Sequence, residues 1–168
     1  MKIPFLDLHQ GYLELKDEID SSVARVLDSG RYILGSEVEN FEDVFSHYCG
    51  SKFAIGVANG MDALEISLRA LSVSDGDEVI VPAHTFIATW LAVSKVGAIP
   101  IPVEPDPLTY NIDTDKITEV ITSKTKAIIP VHLYGQPANL DPIIEIARQN
   151  NIYVLEDAAQ AIGSKYKG

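Results

Sequence analysis

The stretch EVIVPAHTF, residues 78–86, decides the fold, because in it a strand runs directly into a helix. Its segment Val79-Ile80-Val81 is continuously apolar, which is typical of a strand buried on both faces of a parallel sheet. On either side of it, short β-branched runs alternate with segments of helical period. The pattern predicts an α/β fold with a mainly parallel sheet and helices on both of its faces.

The individual elements follow from the same periodicities. The predicted strands are residues 53–58, 78–82, 99–103, 126–131 and 152–156. The predicted helices of the sheet region are residues 62–71, 86–96, 115–123 and 141–150. Two amphipathic helices precede them at residues 8–27 and 36–48, and the second has Ser36 as its N-cap and Glu39 as the partner in a capping box.

The length and composition are those of a packed globular protein. The 168 residues are 46% hydrophobic and 22% charged, which predicts one domain or one piece of a larger one. The buried-type strand at residues 152–156 is followed by a short segment without a closing helix. We therefore expect a truncated chain, in which residues 1–168 hold N-terminal helices and most of a larger domain.

The charge and the cysteine content limit the partners. Thirteen basic and 24 acidic residues give a net charge of −11, which disfavours binding to nucleic acids and to anionic membranes. Cys49 is the only cysteine, so an internal disulfide and a cysteine-based zinc site are excluded and a cytoplasmic location is expected. The longest apolar stretch, residues 86–103, contains Pro100 and Pro102 and predicts no membrane span.

Candidate binding residues come directly after the predicted strands, because ligands of parallel α/β sheets bind outside the carboxyl ends of the strands. Gly60, Met61 and Asp62 form a glycine turn at the start of a helix. Free N–H groups at Met61 and Asp62, together with the helix dipole, would make a phosphate cradle. Plain turn chemistry explains the same residues, and both interpretations stay open.

Two further strand ends carry an aromatic ring and an acid–amide pair. Phe86 could cover a flat cofactor, or it could be a core or edge residue. Asp157 stands at the tip of the last strand and Gln160 follows three residues later, so a helical turn would place both side chains on one face. Such a pair could bind a protonated ring nitrogen and a ring oxygen, whereas Asp157 could also be a plain cap.

The sequence lacks the motifs of metal sites and of several large enzyme classes. The histidines have no metal-binding spacing, so no metal site is expected; they are His9, His47, His84 and His132. His132 and Tyr134 could line the same cleft, or His132 could be a structural histidine. The motifs of serine hydrolases, P-loop enzymes and standard dinucleotide-binding folds do not occur.

The order of these blocks resembles the DegT/DnrJ/StrS family of pyridoxal-phosphate-dependent sugar aminotransferases. The blocks are SGRYILG at 29–35, NGMDAL at 59–64, VPAHTFIAT at 81–89, PVHLYG at 130–135 and EDAAQA at 156–161. The resemblance covers essentially all 168 residues. A finer similarity to the aminotransferases that act at C3 of dTDP-3-keto-6-deoxyhexoses is carried by residues 89–94, 103–105 and 132–138.

The resemblance implies the fold of aspartate aminotransferase, which is called fold type I. Its large domain would be incomplete at the C-terminus here, and its small C-terminal domain would be absent. The family works as a homodimer and uses pyridoxal 5'-phosphate. It moves an amino group from an amino acid, usually glutamate, to a ketosugar nucleotide.

The resemblance also implies a set of cofactor-binding residues. By matching position these are Gly60, Met61, Asp62, Phe86, Asp157 and Gln160. The first three would hold the cofactor phosphate, and the phenylalanine would stack on the ring. The aspartate would bind the pyridinium nitrogen, and the glutamine would bind the phenolic oxygen.

Two departures from the family pattern matter. Met61 stands where the family commonly has threonine, so backbone N–H groups must bind the phosphate without a hydroxyl. The lysine that forms the Schiff base is expected beyond Gly168; Lys165 and Lys167 lack its motif, and no catalytic residue is assigned within the chain. Two rival hypotheses remain, a lysine-free module that binds the cofactor or a nucleotide sugar, and a Rossmann-type nucleotide-sugar oxidoreductase.

Overall fold

The computed structural model describes residues 3–168, which divide into two compact units between Gly56 and Val57. The first unit contains the helices α1 (Leu8–Glu14), α2 (Lys16–Ser29) and α3 (Ser36–Cys49). The side chain of Asp7 caps α1 by accepting the N–H of His9 at 3.1 Å. The N-terminal part of the chain is therefore helical, as predicted.

Two details of this unit differ from the prediction. The helix predicted at residues 8–27 is two helices, because Leu15 leaves helical geometry between α1 and α2. The predicted capping box of Ser36 and Glu39 is wrong. Gly35 has extended backbone and is the N-cap, and its carbonyl oxygen accepts the N–H of Glu39 at 3.2 Å. Ser36 is thus already the first residue of α3.

The strand predicted at residues 53–58 is also wrong, since these residues form no strand. Phe53 and Ile55 are exposed, and no strand among residues 3–168 pairs with them. Aromatic and β-branched residues favour a strand only where a neighbouring strand takes up the backbone hydrogen bonds. Here the N–H of Gly56 donates instead to the Glu42 side chain, at 2.6 Å.

The second unit is a four-stranded parallel sheet with its helices. Its elements are α4 (Gly60–Ala70), β1 (Glu78–Pro82), α5 (Ala88–Lys95), β2 (Ile99–Val103), α6 (Thr114–Val120), β3 (Thr125–Ile128), α7 (Leu140–Asn150) and β4 (Tyr153–Val154). The strand order is β2-β1-β3-β4, and every pairing is parallel. The predicted parallel sheet is confirmed, with β1 and β3 in its centre.

Alternate residues of the central strands point to opposite faces of the sheet. Val79 and Val81 pack in one apolar cluster with side chains of α4 and α5. Ile80 and Ile128 pack in a second cluster with side chains of α6 and α7. Helices therefore cover both faces, as predicted, and this double burial is why β1 is apolar without alternation.

Membrane-spanning and metal-binding features are not found in the described part of the chain. No helix of residues 3–168 combines the length and the apolar character that crossing a membrane requires. In the same residues, no group of three His, Cys, Asp or Glu side chains could hold a metal ion. The thiol of Cys49 is exposed.

We expect Leu68→Ala to destabilise the second unit. Leu68 is fully buried in the cluster that contains Val79, so its truncation should leave a cavity that costs about 2–5 kcal/mol. Ile66→Ala in the same helix is the control, because Ile66 is 53% exposed and its loss should cost less than about 1 kcal/mol. Urea unfolding followed by circular dichroism measures both, and equal losses would contradict the assignment of this core.

Candidate functional site

A cleft of about 310 Å³ lies at the carboxyl ends of the strands in the second unit. Apolar side chains form much of its wall, among them Leu64, Val131 and Leu133. The structure brings most of the predicted site residues to this cleft; they are Gly60, Met61, Phe86, Asp157 and Gln160. The cleft thus gathers residues that are up to a hundred positions apart in the sequence.

The start of α4 forms one end of the cleft, and Asn59 is its N-cap. The Asn59 side chain accepts the N–H of Asp62 at 2.9 Å, so this amide is not free, in contrast to the expectation from the turn. The Asp62 carboxylate is 3.6 Å from Lys95 and does not line the cleft. Within residues 3–168, the amides of Gly60 and Met61 have no acceptor, and they are the free donors at this end.

Met61 is among the residues that line the cleft. Its side chain is partly buried against the apolar cluster beneath α4. This position therefore serves the core with its side chain and leaves its N–H at the helix start, where the positive end of the helix dipole favours an anion.

Asp157 also lines the cleft, and both its backbone and its side chain are held by hydrogen bonds. Its N–H donates to the carbonyl oxygen of Pro130 at 2.9 Å, and its own carbonyl oxygen accepts the N–H of His132 at 3.1 Å. The Thr89 hydroxyl donates to one carboxylate oxygen at 3.0 Å, and the N–H of Ala159 donates to the other at 3.3 Å. Asp157 therefore caps its own turn and also presents a fixed carboxylate to the cleft.

Gln160 lines the same cleft, although not through a helical turn. Residues 158–161 form a turn closed by the bond from the N–H of Ala161 to the oxygen of Ala158, at 2.9 Å, so the predicted helical turn is wrong. The side-chain oxygen of Gln160 accepts the N–H of Tyr134 at 2.8 Å. This bond orients the amide and leaves its NH₂ group as a donor.

Phe86 projects at the mouth of the cleft. The helix α5 begins at Ala88, so Phe86 precedes it and is not in its first turn as expected. The ring is 72% exposed, so Phe86 is not part of the core formed by residues 3–168, and the alternative of an edge residue stays open. An exposed aromatic ring beside a cleft can cover a flat ligand.

His132 is a buried structural residue and does not line this cleft. The N–H of Ala138 donates to its Nδ1 at 3.0 Å, so the ring proton sits on Nε2, which donates to Glu156 at 2.9 Å. The hydrogen bond from His132 holds the pKa of the Glu156 carboxyl below its ordinary value. The structural interpretation of His132 is thus confirmed.

Sequence reasoning missed two residues of this site, Asn59 and Thr89. Asparagine is a preferred N-cap, so its position directly before a helix was a usable signal. Thr89 carried no local signal, because its partner Asp157 is 68 residues away in the chain.

Comparisons with known proteins agree with this architecture. The sequence model of the DegT/DnrJ/EryC1/StrS aminotransferase family matches residues 13–168. The dTDP-3-amino-3,6-dideoxy-alpha-D-galactopyranose transaminase of Aneurinibacillus thermoaerophilus is 55% identical over 99% of this chain and 46% of its own length. The dTDP-3-amino-3,4,6-trideoxy-alpha-D-glucose transaminase of Streptomyces venezuelae is 52% identical over 99% of this chain and 44% of its own length. The chain thus spans less than half the length of these relatives.

Solved structures show the same fold. S. venezuelae DesV in complex with a ketimine intermediate has a TM-score of 0.94 at 52% identity, over 96% of this chain and 44% of that one. The ntda protein of Bacillus subtilis with bound cofactor PMP has a TM-score of 0.92 at 42% identity, over 96% of this chain and 38% of that one. Because the family match extends over most of its residues, the chain belongs to the DegT/DnrJ/EryC1/StrS aminotransferase family.

Proposed function

We propose that the chain is part of a nucleotide-sugar aminotransferase that uses pyridoxal 5'-phosphate. It would transfer an amino group from an amino acid, with glutamate as the donor, to a dTDP-keto-6-deoxyhexose. One observation carries the proposal: free amides at the start of α4 and the fixed carboxylate of Asp157 share one cleft. The names of two relatives, both transaminases of dTDP-amino sugars, support the substrate class.

The residues of the cleft fit this cofactor. The free N–H groups of Gly60 and Met61 suit a phosphate, since a helix N-terminus favours an anion. The exposed ring of Phe86 would cover the pyridine ring. Asp157 would bind the protonated ring nitrogen, and the NH₂ group of Gln160 would donate to the phenolic oxygen.

Asp62 has a different role in this proposal from the one that the resemblance implies. Its N–H is bonded to Asn59, and the Asn59 amide donates back to its carboxylate at 2.9 Å. We propose that Asp62 orders the start of α4 and does not bind the phosphate itself.

The bound cofactor would supply a ring that accepts the electron pair released when the substrate Cα–H bond breaks. Asp157 would assist by keeping a proton on the ring nitrogen through a charge-assisted hydrogen bond. The Thr89 hydroxyl and the Ala159 N–H hold the two carboxylate oxygens, so the orientation of the carboxylate is set without a ligand.

The amine that reacts with the cofactor is not among the cleft side chains of residues 3–168. Lys167 pairs with Asp141, which raises the pKa of the lysine, whereas a nucleophilic amine needs a lowered one. We therefore place the reactive lysine, together with the small domain, in a part of a longer protein outside these residues.

A homodimer and a cytoplasmic location complete the proposal. The family resemblance favours the dimer, and the single, exposed Cys49 is compatible with a reducing compartment. The two rival hypotheses, a lysine-free binding module and a Rossmann-type oxidoreductase, find no support in the relatives described above.

Asp157→Asn should weaken the binding of pyridoxal phosphate. Asparagine keeps the size of the side chain but loses its charge. A charge-assisted bond of about 1.5–3 kcal/mol is then lost, and the affinity should fall about 10- to 150-fold. Titration of the chain followed by cofactor absorbance measures this, and turnover in a full-length protein should fall with it.

The matched control is Asp75→Asn, which removes the same charge from an exposed position outside the cleft. It should leave the affinity for the cofactor unchanged. Equal affinities of wild type and Asp157→Asn would refute the role of Asp157 at the ring nitrogen.

Borohydride reduction of the chain in the presence of pyridoxal phosphate should label exposed lysines sparsely and without site preference. The reason is that no lysine side chain lines the cleft in the described residues. Peptide mass spectrometry maps the adducts, and no transamination of glutamate should accompany them. A single stoichiometric adduct at Lys165 or Lys167 would show that the chain carries its own reactive amine.

A further inference from the structure

A second cleft, of about 830 Å³, also lies at the carboxyl ends of the strands. His84, Glu104, Tyr110 and Tyr134 are among its lining residues. His84 Nε2 and the Tyr134 hydroxyl form a hydrogen bond of 3.1 Å. The His84 ring lies 6.2 Å from the ring of Tyr110 and 6.4 Å from the ring of Tyr134, so the three rings form one aromatic wall.

Both tyrosines of this wall have left-handed backbone. The φ angle is 62° at Tyr110 and 57° at Tyr134. Bulky residues rarely adopt this conformation because it costs free energy, and glycine would adopt it without that cost. Within residues 3–168 the side chains of Tyr110 and Tyr134 are 54% and 71% exposed. Both rings are therefore available to a ligand of the cleft that they line.

The loop of Tyr110 is held rigidly. The N–H of Tyr110 donates to the backbone oxygen of Asp106 at 2.8 Å. The Asp106 carboxylate accepts the N–H groups of Leu108 and Thr109, both at 2.8 Å. The bonds from Thr109 and Leu108 hold the pKa of the Asp106 carboxyl below its ordinary value. The loop therefore keeps the tyrosine in place without a ligand.

The loop of Tyr134 connects the second cleft to the first. The N–H of Tyr134 donates to Gln160, which lines the cleft proposed for the cofactor. Asn111 is buried beside this loop; its side-chain oxygen accepts the N–H of Leu133, and its NH₂ group donates to the oxygen of Gln136, both at 3.0 Å. The two clefts are thus neighbours that share one loop.

We propose that the second cleft binds the hexose ring of the nucleotide-sugar substrate, with Tyr110 and Tyr134 as specificity-determining residues. The proposal rests on the proposed function. Aromatic faces pack against the C–H faces of a sugar ring, and Glu104 and His84 can form hydrogen bonds with its hydroxyl groups. The described lining contains no lysine or arginine, so the cleft suits an uncharged ring and not a pyrophosphate.

The test compares Tyr110→Gly and Tyr134→Gly with the wild-type chain, using dTDP-glucose and dTDP as calorimetric probes. The wild type should bind dTDP-glucose more tightly than dTDP. In each variant the affinity for dTDP-glucose should fall about tenfold, while the affinity for dTDP stays the same. The thermal midpoint of each variant should equal or exceed that of the wild type, because glycine relieves the left-handed backbone.

Ser72→Gly is the matched control. Ser72 also has left-handed backbone, with a φ of 59°, but it is exposed and lies outside the cleft. This variant should keep the preference for dTDP-glucose, with a midpoint equal to or above that of the wild type. This control distinguishes the effect of relieving left-handed backbone from the effect of removing an aromatic ring.

Three outcomes would overturn the proposal. A lowered midpoint with an unchanged preference would show that the tyrosines serve only the fold. If the variants lost as much affinity for dTDP as for dTDP-glucose, the cleft would bind the nucleotide and not the hexose. If the wild type bound dTDP-glucose no more tightly than dTDP, the cleft would not bind the hexose. Pyridoxal phosphate titrated into the same proteins should bind equally to all of them; failure to bind the wild type would contradict the proposed function instead.

Discussion

The backbone pairing of Asp157 with the segment that follows β3 is the constraint on which the proposed cofactor cleft depends. The two hydrogen bonds to Pro130 and His132 continue the parallel pairing of β3 and β4 beyond their last regular residues. A shift of one residue in the register of this pairing would turn the Asp157 side chain to the other face of the sheet. The correct register places the carboxylate at the sheet edge where α4 also begins.

Buried polar groups around this edge all have partners, which makes the edge rigid. Thr89 is buried and uses its hydroxyl to orient the carboxylate. His132 is buried as well, and its two ring nitrogens bond to Ala138 and Glu156. Since an unpaired buried polar group is costly, each bond restricts the positions that its neighbours can take. The site is therefore held by the same interactions that complete the fold.

The sequence was most informative where one local pattern had one structural solution. The apolar run of β1 predicted burial on both faces, and the rule that ligands bind at strand ends led to Phe86, Asp157 and Gln160, which share one cleft. The last two share it although the segment between them is a turn, because Asp157 pairs with the chain after β3 and Gln160 is bonded to Tyr134.

Predictions failed where a distant partner decides the local structure. Residues 53–58 have strand propensity but no neighbouring strand in the described chain. The bond from Thr89 to Asp157 joins α5 to the segment after β4, and no local sequence pattern predicts it. Left-handed backbone at Tyr110 and Tyr134 is equally invisible, because such conformations are set by the surrounding loops and not by the residue itself.

Asn111 has a consequence for how the two clefts respond to ligands. Its buried amide fastens the loop that carries Tyr110 to the loop that carries Tyr134, and the second loop is bonded to Gln160. Hydrogen bonds therefore connect the loops of the two clefts directly. By thermodynamic reciprocity, a ligand of one cleft that alters affinity at the other must have its own affinity altered by the same factor.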